Sequence, residues 1–266
     1  MTEQDLLPEV VAITREAGDV IKGFYRGAFE VQEKSPDNPV TEADVAADTL
    51  LRERLRPLVP HAGWLSEETA DNPARLACEW VWVVDPLDGT KEFVLGLPEF
   101  SVAVALVRAG EPVLAVVYNP ITEDVYAAVR GRGLSHNGLP ARVSSQTNLA
   151  DCVVEASRSE RQRGEFAPFE QAVRVQTMGS IALKLARTAA GQTDATWSRG
   201  PKHEWDICAG VLLVEEGGGV VVDLDERPLR FNQSFPKVNG LMATNGELSA
   251  AVAGLLAPHR ATARAN

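Results

Sequence analysis

Residues 80–93 read Trp-Val-Trp-Val-Val-Asp-Pro-Leu-Asp-Gly-Thr-Lys-Glu-Phe, and this stretch constrains the fold more than any other. A β-branched and aromatic run of this kind reads as a buried strand. It drives straight into Asp85, after which Pro86 fixes its own φ and forces a turn. Asp88 follows, and Gly89-Thr90 opens what should be a short helix. Two carboxylates three residues apart at a strand's end converge on one point when the backbone between them bends, and Gly89 permits a bend that other residues resist. That arrangement suits a hard divalent cation with a phosphate resting on a helix N-terminus. Taken alone, Asp-Pro-x-Asp-Gly also describes an ordinary turn, so the rest of the chain has to decide.

Composition narrows the classes. With 266 residues there is room for one large domain or two modest ones, and 45% hydrophobic against 24% charged residues fits a globular chain with a proper core. A net charge of −11 and a pI near 4.9 leave no footprint for a nucleic-acid polymer. An anionic substrate must then meet a local positive centre, either bound metal or a few Lys and Arg side chains. Cys78, Cys152 and Cys208 have neither metal-ligand nor redox spacing and are expected to be reduced. The acidic start, Met-Thr-Glu-Gln-Asp, lacks the basic-then-apolar pattern of a signal peptide, and no apolar run approaches bilayer length. A cytoplasmic protein without membrane partners is the expectation.

Hydrophobic spacing predicts a helix over residues 5–26, and Thr41-Glu42-Ala43-Asp44 resembles a capping box opening a second helix to about Leu58. Strands are expected at 100–107, 113–118 and 124–129, joined by turns into an antiparallel meander. Beyond a polar connection at 144–148 the pattern alternates. A strand is predicted at 152–156, helices at 161–173, 180–190 and 205–216, strands at 220–224 and 240–244, and a last helix at 247–256. Alternation after a meander points to a mixed α/β fold with helices between and outside layered sheets. A boundary near residue 148 divides an α+β part, 1–148, from an α/β part, 149–266, that would close the site. Gly217-Gly218-Gly219 follows a helix rather than a strand, so it is a helix stop and no dinucleotide fingerprint.

Three further segments matter: Leu65-Ser66-Glu67-Glu68-Thr69, Glu204-Trp205-Asp206-Ile207-Cys208-Ala209-Gly210, and Lys34 to Asp44. Each alone has a plain reading, as a solvated acidic face or a helix N-terminal acid. Asp85-Pro86-Leu87-Asp88-Gly89-Thr90, Trp205-Asp206-x-x-Ala209-Gly210 and Glu215-Glu216-Gly217-Gly218 together resemble the inositol monophosphatase superfamily, from about residue 8 to 246. The resemblance implies a layered αβαβα sandwich, Mg²⁺-dependent and often lithium-inhibited phosphatase activity, two or three ions per site with Mn²⁺ as a substitute, and commonly a homodimer. It implies Glu67, Asp85, Asp88 and Asp206 as metal carboxylates, with Asp85 bridging two ions, and the backbone carbonyl of Leu87 as a further ligand. Thr90, hydrogen-bonded to Asp44, would orient the attacking water beside Glu67, while the amides of Gly89 and Thr90 hold phosphate oxygens. The physical case runs parallel: four carboxylates within ~4 Å repel by about 4 kcal/mol per pair at an effective dielectric of 20, so they persist only with protons or cations. Oxygen-only ligands select Mg²⁺, Mn²⁺ or Ca²⁺ over zinc.

The small-molecule phosphate ester is less sharply marked. Thr90-Lys91-Glu92-Phe93 resembles the 3′(2′),5′-bisphosphate nucleotidase branch, and so does Ser157-Arg158-Ser159, although Glu160 stands where that branch has His. Arg199 suits a second anionic group through its bidentate fork, or is a surface residue. Ser180 and Lys184, at the start of a helix, are further candidates for substrate contact; solvation is the alternative for Lys184 and Arg187. Asn137-Gly138 and Gly96-Leu97-Pro98 look closer to inositol or histidinol phosphatases. The reading favours the nucleotidase, with inositol-1-monophosphatase or histidinol-phosphatase as the alternative. A non-catalytic metal- or phosphate-binding member is the competing class, and the presence of every expected acid argues against it.

Overall fold

The computed structural model describes residues 2–35 and 38–259. Helix α1 (Glu3–Phe24) starts at a capping box between Thr2 and Asp5. Strands β1 (Val31–Ser35) and β2 (Asn38–Thr41) form an antiparallel pair leading into α2 (Glu42–Leu55). A seven-stranded sheet follows: β3 (Gly63–Ser66), β4 (Trp80–Asp88), β5 (Ser101–Arg108), β6 (Glu111–Asn119), β7 (Asp124–Val129), β8 (Leu134–His136) and β9 (Leu139–Ala141), neighbours in chain order. Only β3 and β4 pair in parallel; the rest is the expected meander. The short helix α3 (Thr90–Val94) leaves the end of β4.

The continuous apolar runs of β4 and β5 are explained by burial on both faces. Trp82, Val84, Val102, Val104 and Leu106 pack with Val10, Ile13, Ala17, Ala47 and Leu51 of α1 and α2. The alternate residues Val81, Val83, Ala103, Ala105 and Val107 pack against two later helices, α5 (Ile181–Ala189) and α6 (Glu204–Glu216). Between α3 and those helices lie β10 (Val153–Ala156), α4 (Arg158–Gln162) and β11 (Arg174–Thr177), with β12 (Ala195–His203) between α5 and α6. The chain closes with β13 (Val220–Asp223), β14 (Lys237–Thr244) and α7 (Ser249–Leu256).

These strands make a second, five-stranded sheet in the order β11-β10-β12-β14-β13. Val221, Leu241 and Ala243 join the α5–α6 cluster, so that helix pair is sandwiched between the sheets. The far face carries Val154, Trp197 and Met242 under Phe166, Phe169 and Val252. The layers are thus α1/α2, seven strands, α5/α6, five strands, and α7 with the 157–173 segment, the expected αβαβα order.

Three local expectations change. The helix over 161–173 is replaced by the end of α4 and a 3₁₀ turn at Ala167–Phe169, ahead of strand β11. Ser157 caps the chain three residues early through Glu160, Gly164 turns left-handed at φ 71°, and Pro168 cannot continue a helix. Strand β4 runs past Val84 to Asp88, its register with β5 slipping between Asp85 and Asp88 where Pro86 sits. The segment 195–203, which carries no strand periodicity, pairs with β14 across a slip between Ser198 and Pro201.

Helices α5 and α6 approach closely at Gly210, where an added Cβ would lie 2.5 Å from Leu185 Cβ. Gly210→Ala is expected to lower the unfolding free energy by about 1–3 kcal/mol, the usual cost of overpacking a filled core. Urea denaturation measures it, and undiminished stability would show that this helix pair has room to part.

Candidate active site

The starts of α3, α4, α5 and α6 and the ends of β3, β4 and β12 converge on a cavity of about 560 Å³. Glu67, Asp85, Leu87, Asp88, Gly89, Thr90, Ser180, Lys184 and Asp206 all line it. Carboxylate oxygens of Glu67, Asp85 and Asp206 lie within 4.8 Å of one another. These three come from the residue after β3, the end of β4 and the first turn of α6. Sheet pairing of β3 with β4 sets the first two side by side, and α6 packs beneath both.

Each acid is held by a specific local device. Asp85, 1% exposed, accepts from Leu87 N at 3.0 Å, closing the turn around Pro86. Asp88 faces the same cavity, but its Oδ2 is engaged by Ser180 Oγ at 2.6 Å and Ala182 N at 2.7 Å. Asp206 accepts from the backbone N–H of His203 at 2.9 Å, at the start of α6. Asp44 Oδ2 accepts from Thr41 N and Oγ1, the capping box of α2, at 2.7 and 2.6 Å. Its Oδ1 lies 3.0 Å from Thr90 Oγ1, which is also 3.1 Å from the Leu87 carbonyl. The single hydroxyl proton goes to one of these acceptors, so a Thr90 lone pair remains for a donor in the cavity. Of the Lys34–Asp44 segment, Pro36 and Asp37 lie outside the described residues.

Gly89 is the one residue type that fits its place. Its φ is 100°, and a Cβ there would meet the Glu99 carbonyl at 2.9 Å. This left-handed turn starts α3 immediately before Thr90, and the N-terminal end of the helix lines the cavity. Ser180, at φ 52°, caps α5 through Leu183 N, 3.0 Å away, and contacts Ser101 as well as Asp88.

The electrostatics follow from burial and crowding. Burial, then Glu67, Asp88 and Asp206, push the Asp85 carboxyl well above its ordinary range. Asp206 is pushed up to about 8, by its packed surroundings first and then by Asp88 and Glu67. Asp88 and Asp44 are also raised, by burial foremost, against the hydrogen bonds that each accepts. At roughly 5 Å and an effective dielectric of 20, each ionised pair repels by about 3 kcal/mol. An all-oxygen donor set under that strain fits a hard divalent cation.

The candidate basic residues fall into different surroundings. Lys184, a candidate for substrate contact, lines the cavity and is not solvated: it is 1% exposed and pairs with Glu160 Oε2 at 3.1 Å. Burial would raise the Glu160 carboxyl, but Lys184, Lys202 and the Ser157 bonds hold it well below the usual range. Arg187 pairs with the buried Glu155 at 2.8 Å. Arg199 does not line the cavity; its guanidinium donates to the His259 carbonyl at 3.1 Å. The reason is local: the register slip after Ser198 interrupts β12's alternation, and Arg199 meets the turn at Ala257–His259. Arg158 pairs with Glu99, which accepts from Gly179 N at 2.9 Å and so ties α4 to the turn before Ser180. Sequence reading missed Lys202, His203 and Trp205 as lining residues; the available signal was their position immediately ahead of Asp206.

A fold of two sheets around a helix pair, with an acidic cluster at the strand and helix ends, finds its counterpart in known proteins. The chain belongs to the inositol monophosphatase family, whose model matches residues 3–261. It is therefore a metal-dependent phosphatase of phosphomonoesters. It is 36% identical over 238 residues to the inositol-1-monophosphatase of Rhizobium meliloti (strain 1021), covering 85% of this chain and 88% of the relative. It is 34% identical over 248 residues to the 3′(2′),5′-bisphosphate nucleotidase CysQ of Aggregatibacter actinomycetemcomitans, covering 89% and 92%. In structure it resembles the extragenic suppressor protein suhB of Bartonella henselae, with a TM-score of 0.82 at 31% identity over 92% of this chain and 96% of that one. Among the described residues, no helix is long and apolar enough to cross a membrane.

The raised carboxyls fix a pH signature. An acid whose folded pKa exceeds its unfolded value stabilises the fold below the unfolded value and loses that contribution as pH rises. From the ordinary 3.8 to about 8 for Asp206, the metal-free protein is therefore expected to lose stability with rising pH. A cation bound only to the folded state reverses the trend. Thermal melts from pH 5.5 to 8, in chelator and in Mg²⁺, should show a Mg²⁺ increment that grows with pH; a pH-independent increment would contradict this electrostatic account.

Proposed function

We propose that the chain is a Mg²⁺-dependent hydrolase in which Glu67, Asp85, Asp88, Asp206 and the Leu87 carbonyl hold the cations. The observation that carries this is the meeting of Glu67, Asp85 and Asp206 oxygens within 4.8 Å beside the Thr90–Asp44 contact. Bound Mg²⁺ would supply Lewis acidity, lowering the pKa of the attacking water and neutralising charge on the leaving oxygen. The protein's own part is positioning. Thr90, fixed by Asp44, orients a water toward the phosphorus, and Glu67 takes up its proton. The Gly89 and Thr90 amides, at the positive end of α3, hold phosphate oxygens. Residues 1–148 supply most of these groups, and residues 149–266 close the site through Asp206 and Ser180.

For substrate we favour a 3′(2′),5′-bisphosphate nucleotide, adenosine 3′,5′-bisphosphate being the representative case. Lys91, Lys184 and Lys202 line the same cavity as the carboxylates, more positive charge than one phosphate on a metal cluster requires. A second reading, an inositol-type monophosphate, is favoured by the Glu160–Lys184 pair, which already compensates one lysine, and by the orientation of Arg199 away from the cavity.

Asp85→Asn is expected to reduce turnover by at least about 100-fold while the metal-free protein becomes more stable at pH 8, because the change removes a ligand and a buried charge together. Phosphate release and thermal melts measure the two effects, and retained turnover would sink the ligand assignment. In a kcat/KM comparison, adenosine 3′,5′-bisphosphate should exceed inositol 1-phosphate by about tenfold, the worth of roughly one charge-assisted contact. The reverse order selects the second reading.

A further inference from the structure

We infer that Asp48 is a positioning residue that holds Glu67 in the cation-binding geometry. Glu67 follows the last residue of β3, so it sits where the sheet ladder ends. Its own amide reaches the Val84 carbonyl at 3.4 Å, long for a backbone bond. The residues on either side are tied to one side chain. Asp48 Oδ1 accepts from Ser66 Oγ at 2.5 Å, and Asp48 Oδ2 accepts from Thr69 Oγ1 at 2.8 Å. A single carboxylate thus clasps the short segment that carries Glu67, at both ends.

Asp48 can do this because of where its helix puts it. It lies one turn after Asp44 on the buried side of α2 and is itself 7% exposed; Ser66 is 2% exposed. Residues i and i+4 share a helix face, so Asp44 and Asp48 address the same end of the sheet. Asp44 reaches Thr90 and Asp48 reaches the Glu67 segment. The helix packs on β4 through Ala47 and Leu51, against Trp82 and Val84. It is therefore a rigid bar that carries two orienting acids, neither of which supplies one of the three clustered carboxylates. A restraint is needed at Glu67 in particular, because repulsion from Asp85 and Asp206 pushes an end-of-strand carboxylate outward.

The inference rests on the reading of Glu67 as a cation ligand, and the test separates the two. Mn²⁺ binding to the full chain is titrated calorimetrically, with thermal melts confirming that each variant is folded. Glu67→Gln tests the ligand itself and is expected to weaken Mn²⁺ binding by at least about 100-fold; unchanged affinity there overturns the ligand reading. Asp48→Ala should weaken binding by about 10-fold or more, the usual effect of losing an outer partner of a metal ligand. Thr69→Val, which removes one of the two clasping bonds, should weaken it about 3-fold. Adding Thr69→Val to Asp48→Ala should cost nothing more, because both act through one bond. Asp48→Asn keeps an acceptor for Ser66 and offers an amide to the Thr69 hydroxyl, and should return affinity to within about 3-fold of the original. A purely structural Asp48 would lower the melting temperature and leave the affinity of the folded protein unchanged. Wild-type Mn²⁺ affinity in folded Asp48→Ala, beside a loss in Glu67→Gln, overturns the inference alone. If Asp48→Ala does not fold, wild-type affinity in Thr69→Val and Ser66→Ala overturns it equally.

Discussion

The structure depends on forcing like charges together. Glu67, Asp85 and Asp206 belong to separate elements, and nothing about their own chemistry favours their approach within 4.8 Å. They stay because each is fixed to a backbone whose position is decided elsewhere. Strand β4 is buried on both faces, between α1/α2 and α5/α6, so Asp85 cannot retreat without breaking both cores. Helix α6 is enclosed between two sheets, and that enclosure fixes Asp206. Hydrophobic burial over the whole fold thus offsets a local repulsion of a few kcal/mol per pair.

The same logic explains why the cavity wall is built from ion pairs and capped helices rather than from loops. Lys184 and Glu160 compensate each other where neither could be buried alone. Arg158 and Glu99 link α4 to the turn that presents Ser180, a non-glycine residue held at a positive φ of 52°. Strain of this kind survives only where surrounding structure over-determines it.

Much of this was legible in the chain. The apolar run into Asp85, the capping signature at Thr41, and the acid at the start of the 205–216 helix carry their meaning locally, because strand burial and helix caps are local chemistry. The layered fold followed from the alternation and from the family resemblance. What was not legible depended on partners distant in sequence. Nothing in Ala195–His203 announces a strand, since its pairing is supplied by β14 and its register slips midway. Arg199 could be placed only once that slip was known. The ion pair of Lys184 could not be read, because its partner lies 24 residues away on another element. Asp48 carries no signal of its contacts in the sequence, because Ser66 and Thr69 lie 18 and 21 residues away.

Three acids at this site occupy the same local position in their helices. Asp44 in α2, Glu160 in α4 and Asp206 in α6 each sit at the third residue and accept from the backbone N–H just before the helix. Helix ends are where fraying begins, at a cost far below that of global unfolding. The order of the site is therefore coupled to the closing of three first turns. Opening of those turns would remove the acceptors that fix Thr90, Lys184 and the His203 amide.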